Sequence, residues 1–509
     1  MTPTTDVTGG RTLLALLDHW STRRPHEPAI VDAQRSVSWE RLATDVAALR
    51  AQLAGAGVAD ERVVLLALPN SVLLIGLWLA VPANGAIVHV VDPDAGPPDL
   101  YRACVATKPV LAIATTANAH TVRDAVRRAG LTTRVVTVPD DELGDAALEL
   151  GPDATPTEPH PDQVASLLPT SGTSGTPKLV QLTHRNFVCS AERLARNGGY
   201  LPTDRHYLCS PFFHTNAQAY LCAPPFVTGG SIAVVPRFSA TRWFDDAREL
   251  GATIASMVAP PMRMALLKAL ERGEHVDPGP LRAIHYGMTL SAADWRQWDR
   301  LVPQIHMRQI YGQTESVTGV LGGAPWEDDD RATIGRPFLG VEEVRLVDDD
   351  GHDVPDGHPG ELRVKGVPGR TLMLGYHQQP DVTARTVVDG RWLRTGDQMI
   401  RHPGGRFEFR GRAMHIIRRG GENLSTYTLE TDLRSCPLIT DVAVSACDDE
   451  TLGSAVVAHV LPGPGYSERD FLVWCRDNVG KRGTPDHVRP HTSFPRTGSG
   501  RVILRELLL

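Results

Sequence analysis

At 509 residues, with 42% apolar and 22% charged side chains, the chain is too long for one ordinary domain and has the composition of a globular protein, so two or three domains are expected. The net charge of −7 lacks the basic excess that nucleic-acid and anionic-membrane binders need, so neither partner is expected and any anionic ligand must be held by local groups. Seven cysteines (Cys104, Cys189, Cys209, Cys222, Cys436, Cys447, Cys475) form no CxxC pair and leave an odd count. That points away from a disulfide framework or a zinc site and toward a reducing, cytoplasmic setting.

The first twenty residues hold a short apolar run with no basic n-region and no small-residue cleavage site, so a signal peptide is not expected. Trp39, Leu42, Val46, Leu49 and Leu53 alternate spacings of three and four and stop at Gly55 and Gly57, which predicts an amphipathic helix with a C-terminal stop. The run from Val63 to Val81 is apolar enough to imitate a membrane span. Pro69-Asn70-Ser71 interrupts it, so a buried strand, a turn and a buried helix are expected. A second strand-like run, GAIVHVV, ends at Asp92-Pro93. Helices alternating with wholly apolar strands indicate parallel sheet covered on both faces.

A Pro-rich polar stretch, GPDATPTEPHPD, leads into the loop of SLLPTSGTSGTPKLVQLTHRN (Ser166 to Asn186). Glycines and small hydroxyl residues let the backbone approach a ligand and aim N–H groups at one point, which suits phosphate oxygens, and Lys178 adds a mobile charge. The P-loop template fails, because Pro177 stands where its second Gly belongs and Leu179 replaces the Ser or Thr after the lysine. The loop is read as lying between an apolar strand and a helix. Apolar strands recur at SIAVVP and TIASMVAP. From about Ile334 short alternating runs broken by Asp-Gly turns predict antiparallel sheet, and from about Arg412 a last segment carries its own helix and strand signals.

The loop TSGTSGTPK is followed by PFFHTNAQ (Pro211 to Gln218), YGMTLS (Tyr286 to Ser291), YGQTES (Tyr311 to Ser316), GELRVKG (Gly360 to Gly366), WLRTGD (Trp392 to Asp397), RGR (Arg410 to Arg412), GGEN (Gly420 to Asn423) and PRTGSGR (Pro495 to Arg501). In this order and over nearly the whole chain, the set resembles the adenylate-forming superfamily, which includes acyl-CoA synthetases, peptide-synthetase adenylation domains and luciferases. FHTNAQ looks most like the carnitine- and crotonobetaine-CoA ligase branch. The resemblance implies an α/β fold: a large N-terminal domain of parallel sheets with a small antiparallel β subdomain from about 334, spanning 1–411, and a small mobile α+β C-terminal domain, 412–509, with a hinge near 412–415.

It also implies roles for particular residues. Thr170, Ser171, Gly172, Thr173, Ser174, Gly175, Thr176 and Lys178 would hold the β- and γ-phosphates of ATP. Thr314 would bond the α-phosphate, and Glu315 would hold Mg²⁺, a hard cation suited to carboxylate oxygen. Asp397 would accept the ribose hydroxyls with its two oxygens, and Arg412 would help bind the nucleotide near the domain junction. Gly287 would pass close to the adenine, Tyr311 would stack on it, and His214 would line and gate the acid pocket. Segments around His214, from Ala259 to Met262 and from Tyr286 to Leu290 would form that pocket, with Met262, Met264 and Met288 hinting at an apolar lining.

Two positions depart from the family pattern. Arg501 stands where the family has a lysine that reaches the carboxylate and α-phosphate, bringing a planar fork in place of a point charge. His415 stands at the hinge residue, usually Asp or Lys. The expected reaction is ATP- and Mg²⁺-dependent adenylation of a small organic acid, with transfer to a thiol, CoA first and a carrier-protein phosphopantetheine second. Two alternatives stay open: activation of nitrite for transfer to an aromatic amine, to which Arg501 would be suited, and a nucleotide-binding homologue that has lost catalysis. By analogy with relatives the chain would be a monomer or a homodimer.

Overall fold

The computed structural model describes residues 12–140, 143, 148, 150–170, 178–273, 276–323, 331–412, 416–419, 422–449, 453–479, 483–497, 500 and 502–507. The expected amphipathic helix is Trp39–Gly55. Ser38 caps it by accepting from Arg41 N, and the five residues picked out by spacing are its buried ones. It stops at Gly55 because another segment passes there: a Cβ on Gly55 would lie 1.5 Å from Pro152 O. The stretch that imitates a membrane span is the strand Val63–Ala67 and the helix Val72–Ala80, both wholly buried, with Ser71 capping the helix through Leu74 N at 3.1 Å. Among the described residues no helix is long and apolar enough to cross a membrane.

Two large sheets carry the N-terminal domain. One has seven strands in the order Gly375–Tyr376, Lys178–Thr183, Val164–Thr170, Ile87–Val90, Val63–Ala67, Leu111–Thr115, Arg134–Val138, parallel from Val164–Thr170 onward. The other has nine strands, in which His306–Gly312, Ala283–Gly287, Ile254–Val258, Arg205–Leu208, Ser231–Val234 and Pro28–Val31 are neighbours in that order and run parallel. The expected antiparallel subdomain is a sheet of Glu343–Val347, Pro359–Lys365, Trp392–Arg401 and Val387–Val388, with Phe407–Arg412 added on Trp392–Arg401. The next strand, Ile416–Arg419, belongs to a different sheet, in which Gly453–Pro462 pairs with Ile439–Asp449 and His487–Pro490 and the helix Thr426–Leu433 packs nearby. That is the C-terminal α+β domain.

The loop reading needs correction. No helix directly follows the phosphate-type loop: Lys178–Thr183 is a strand antiparallel to Val164–Thr170, with Thr170 opposite Lys178, and the helix His184–Gly198 begins only after it. The apolar Leu179, Val180 and Leu182 bury the strand, and the capping box of Thr183 with Asn186 starts the helix. The loop therefore joins two strands and has no helix N-terminus to lend it a dipole.

The two large sheets share one core. Val64, Leu66 and Val88 of the first meet Leu208, Ile232 and Val234 of the second around Trp78, Phe187 and Phe226 of the helices between them. A fully buried glutamine ties this layer together. Gln218 Oε1 accepts from Trp78 Nε1 and Ser166 Oγ, both at 3.1 Å, and its Nε2 donates to Phe212 O at 2.9 Å. Gln218→Ala orphans all three partners and leaves a cavity, so it should cost about 3 to 4 kcal/mol, read as a lower urea midpoint at unchanged slope.

Candidate active site

The C-terminal ends of parallel strands are where open α/β sheets bind ligands. In the nine-stranded sheet the motif segments follow these ends: Ser210 to Asn216 after Arg205–Leu208, Pro260 after Ile254–Val258, Met288 and Thr289 after Ala283–Gly287, and Gln313 to Glu315 after His306–Gly312. Gly312 has to be glycine, because a Cβ there would lie 2.3 Å from Thr318 O and 2.7 Å from the Tyr220 hydroxyl. The YGQTES turn is folded tightly. Ser316 Oγ accepts from Gln313 N at 3.0 Å, and Val317 takes φ +67, a costly conformation for a β-branched residue and of the kind that gathers at functional sites.

That turn brings several predicted residues together. Thr314 Oγ1 is 2.7 Å from Thr215 Oγ1, so the segment carrying His214 abuts YGQTES. His214 itself is half-buried, its ring 4.4 Å from that of Phe213. Asp397 is buried (2% exposed), and its Oδ2 accepts from the Tyr311 hydroxyl at 2.7 Å and from Gln313 Nε2. Thr395 fixes its backbone, accepting from Asp397 N at 3.1 Å and donating to Leu362 O at 2.6 Å. Arg412 pairs opposite Asp397 along the strands. The Tyr311 ring lies 6.2 Å from Phe409, which meets Tyr427 of the C-terminal domain edge-on at 4.7 Å, so aromatic contacts run from the Asp397 site into that domain. Gly287 ends its strand with Val258 Cγ1 3.6 Å from where a Cβ would lie. Ser171, Gly172, Thr173, Ser174, Gly175, Thr176, His415 and Arg501 lie outside the described residues.

Glu315 and Lys178 meet through a residue the sequence reading missed. The Tyr376 hydroxyl donates to Glu315 Oε1 at 2.8 Å, and Lys178 Nζ sits 4.9 Å from the centre of the Tyr376 ring. Tyr376 belongs to a two-residue strand that pairs with Lys178–Thr183, a long-range contact with no local periodicity to reveal it. Glu315 offers a hard carboxylate oxygen of the kind Mg²⁺ prefers, so by its donor chemistry it would suit that ion. Tyr376→Phe keeps the ring over Lys178 and frees the carboxylate to rotate. It should raise the Mg²⁺ needed for half-maximal binding of a nonhydrolysable ATP analogue about threefold to tenfold, measured by calorimetry.

The expected methionine lining is corrected. Met262 is fully buried in the core with Trp243 and Trp298, and Met264 is 54% exposed on the outer face of the helix Ala259–Glu271; Met288 packs at the edge of that same core. Helical periodicity put Met262 inward and Met264 outward, and neither position is the crevice.

The C-terminal domain is seated on the same end of the sheet. A Cβ on Gly500, in the last Gly-rich loop, would lie 3.2 Å from Pro260 Cβ, and Arg263 donates to Thr440 O. Arg496 holds the loop by donating to Gly500 O at 2.9 Å and pairing with Asp441, which Arg434 also binds at 3.1 Å.

Residues 17–377 match the family described as AMP-binding enzyme, and residues 428–501 match the AMP-binding enzyme C-terminal domain. The chain is 30% identical over 353 residues to a crotonobetaine/carnitine–CoA ligase of Salmonella paratyphi B, a match covering 68% of this chain and 66%, just under two thirds, of that protein. It is 29% identical over 511 residues to a sulfoacetate–CoA ligase of Cupriavidus necator, covering 98% and 97% of the two chains. Its fold is that of the anthranilate CoA ligase AuaEII with anthranoyl-AMP (TM-score 0.87, 21% identity, 99% and 98% covered) and of ATP-bound MatB from Rhodopseudomonas palustris (TM-score 0.86, 22% identity, 98% of each). The chain belongs to the AMP-binding enzyme family of adenylate-forming, acyl-CoA-ligase-type enzymes.

Proposed function

We propose that the protein activates a small organic acid with Mg·ATP and passes the acyl group to CoA. The observation that supports this reading is the 2.7 Å contact of Thr215 with Thr314, between the segment that would line the acid pocket and the residue that would bond the α-phosphate. A carboxylate oxygen attacks the α-phosphorus, the bond to the bridging oxygen breaks, and pyrophosphate leaves with the electron pair. The CoA sulfur then attacks the acyl carbonyl and AMP departs. Side chains do little covalent work here; they position reactants and offset charge. Asp397, oriented by Tyr311 and Gln313, would hold the ribose. The loop from Thr170 to Lys178 would hold the β- and γ-phosphates, with Glu315 as ligand to the Mg²⁺ that neutralises them. Arg501 would reach the carboxylate and α-phosphate, a role supported by the position of its neighbour Gly500 against Pro260. Rotation of the C-terminal domain about a hinge near 412–415, including His415, would then admit the thiol. The relatives named as CoA ligases for crotonobetaine/carnitine and sulfoacetate support both a small acid and a CoA acceptor.

The test is product analysis by mass spectrometry after incubation with Mg·ATP and a panel of short acids, with and without CoA. The expected products are acyl-AMP without CoA and acyl-CoA plus AMP with it. A diazo product formed only from nitrite and an aromatic amine would replace the acid in this scheme, and bound but unreacted ATP under every condition would mark a lapsed enzyme.

A further inference from the structure

We propose that the acid carries a hydrogen-bond donor, a hydroxyl or amino group, close to its carboxylate, and that Asn216 with Ser256 selects it. This rests on the function proposed above and names its substrate class. Along the strand Ile254–Val258, Ala255 and Met257 pack into the core with Trp243 and Trp298, so Ser256 points to the opposite face, toward the π-helical segment Asn216–Cys222. Asn216 Nδ2 donates to Ser256 Oγ at 2.8 Å. Its Oδ1 is shielded from water and, among the described residues, accepts no hydrogen bond. A buried amide oxygen without a partner is uncommon in a native protein, and a wide helical turn is a frequent mark of a functional site.

The surroundings are polar as well. Thr215, beside Asn216, contacts Thr314, and Tyr220, four residues on, aims its hydroxyl at the backbone of Gly312. Burial holds the Tyr220 phenol well above its usual range, so it stays protonated. Met262 and Met264 contribute no apolar wall, as shown above. Asn216 Oδ1 is buried and unpaired among the described residues with no acid bound; a hydroxyl or ammonium N–H that reaches it would supply the missing donor, and an acid with only hydrocarbon there would not. A site built around such a bond discriminates more strongly than one that senses only the size of an apolar group.

The experiment compares matched acids on the full-length protein: 3-hydroxybutyrate and 3-aminobutyrate against butyrate and 3-methoxybutyrate. ATP–pyrophosphate exchange and acid-induced thermal shift are the two readouts. The donor-bearing acids should show kcat/KM at least about tenfold above their unsubstituted and methoxy counterparts. Asn216→Leu should bring the acids to near parity, and Ser256→Ala should lose part of the preference; calorimetric Mg·ATP binding reports whether each variant is folded, and Ser256→Ala carries the test if Asn216→Leu is not. Equal use of hydroxy and methoxy acids by the native protein, or a preference unchanged in folded Asn216→Leu, would overturn the assignment. Exchange with no acid at all would overturn the proposed function itself, a separate result.

Discussion

Acidification from pH 7 to 5 should remove most of the protein's stability. His89, His184 and His206 are buried and neutral, with burial pushing each imidazole down to about 4, and His285 is pushed down to about 3. A depressed imidazole contributes full stability above its unfolded value near 6.5 and loses it as pH falls from there toward the folded value. At pH 5 each of the four costs about 2 kcal/mol, and about 8 kcal/mol together is of the order of a domain's whole stability. Asp204 favours and Arg282 opposes the charged form of His206, while Arg308, His206 and Arg282 oppose that of His285. The carboxyls of Asp18, Asp92, Glu430 and Asp432, each raised by burial, work the other way and offset part of that loss. Circular dichroism in fixed urea across pH 7 to 4.5 should show a steep loss. His206→Phe, which replaces a ring whose two nitrogens make no hydrogen bond among the described residues, should move that loss to lower pH; a flat profile would refute the burial argument.

Asp397→Ala should lower kcat/KM for ATP by about a hundredfold to a thousandfold. The carboxylate accepts from Tyr311 and Gln313 through one oxygen, so its removal deletes the group proposed to hold the ribose and takes one acceptor from each of those side chains, Gln313 keeping its bond to Thr395 O at 2.8 Å. Asp397→Asn keeps the shape but loses the charge, and should fall between. Calorimetry with an ATP analogue separates lost binding from lost chemistry. Unchanged nucleotide affinity in Asp397→Ala would remove this residue from the site.

Much of this architecture was legible in the chain because it is written in local period. The helix Trp39–Gly55 buries the residues its three-and-four spacing names, and the apolar run after Val63 resolves into strand and helix at the Pro-Asn-Ser turn. The misreadings are long-range or subtle. Lys178–Thr183 runs straight into the helix His184–Gly198 and in the sequence reads as part of it, and its partner strand sits on the loop's other side. Tyr376 reaches Glu315 only through the fold. Apolar Met262 suggested a ligand wall, but helical phase sends it into the core, while Asn216 and Gln218, both in FHTNAQ, divide into a half-buried residue bonded to Ser256 and a core tie, which spacing alone does not separate.

One measurement bears most directly on the account: isotope exchange between pyrophosphate and ATP, with Mg²⁺ and without any acceptor. Exchange requires that the α–β phosphate bond break as the acid is adenylated and re-form when pyrophosphate attacks the acyl-AMP. The account predicts exchange that needs both Mg²⁺ and a small acid, and that disappears in Glu315→Ala and Asp397→Ala. ATP bound tightly with no exchange for any acid, or cleavage to ADP and phosphate, would contradict it.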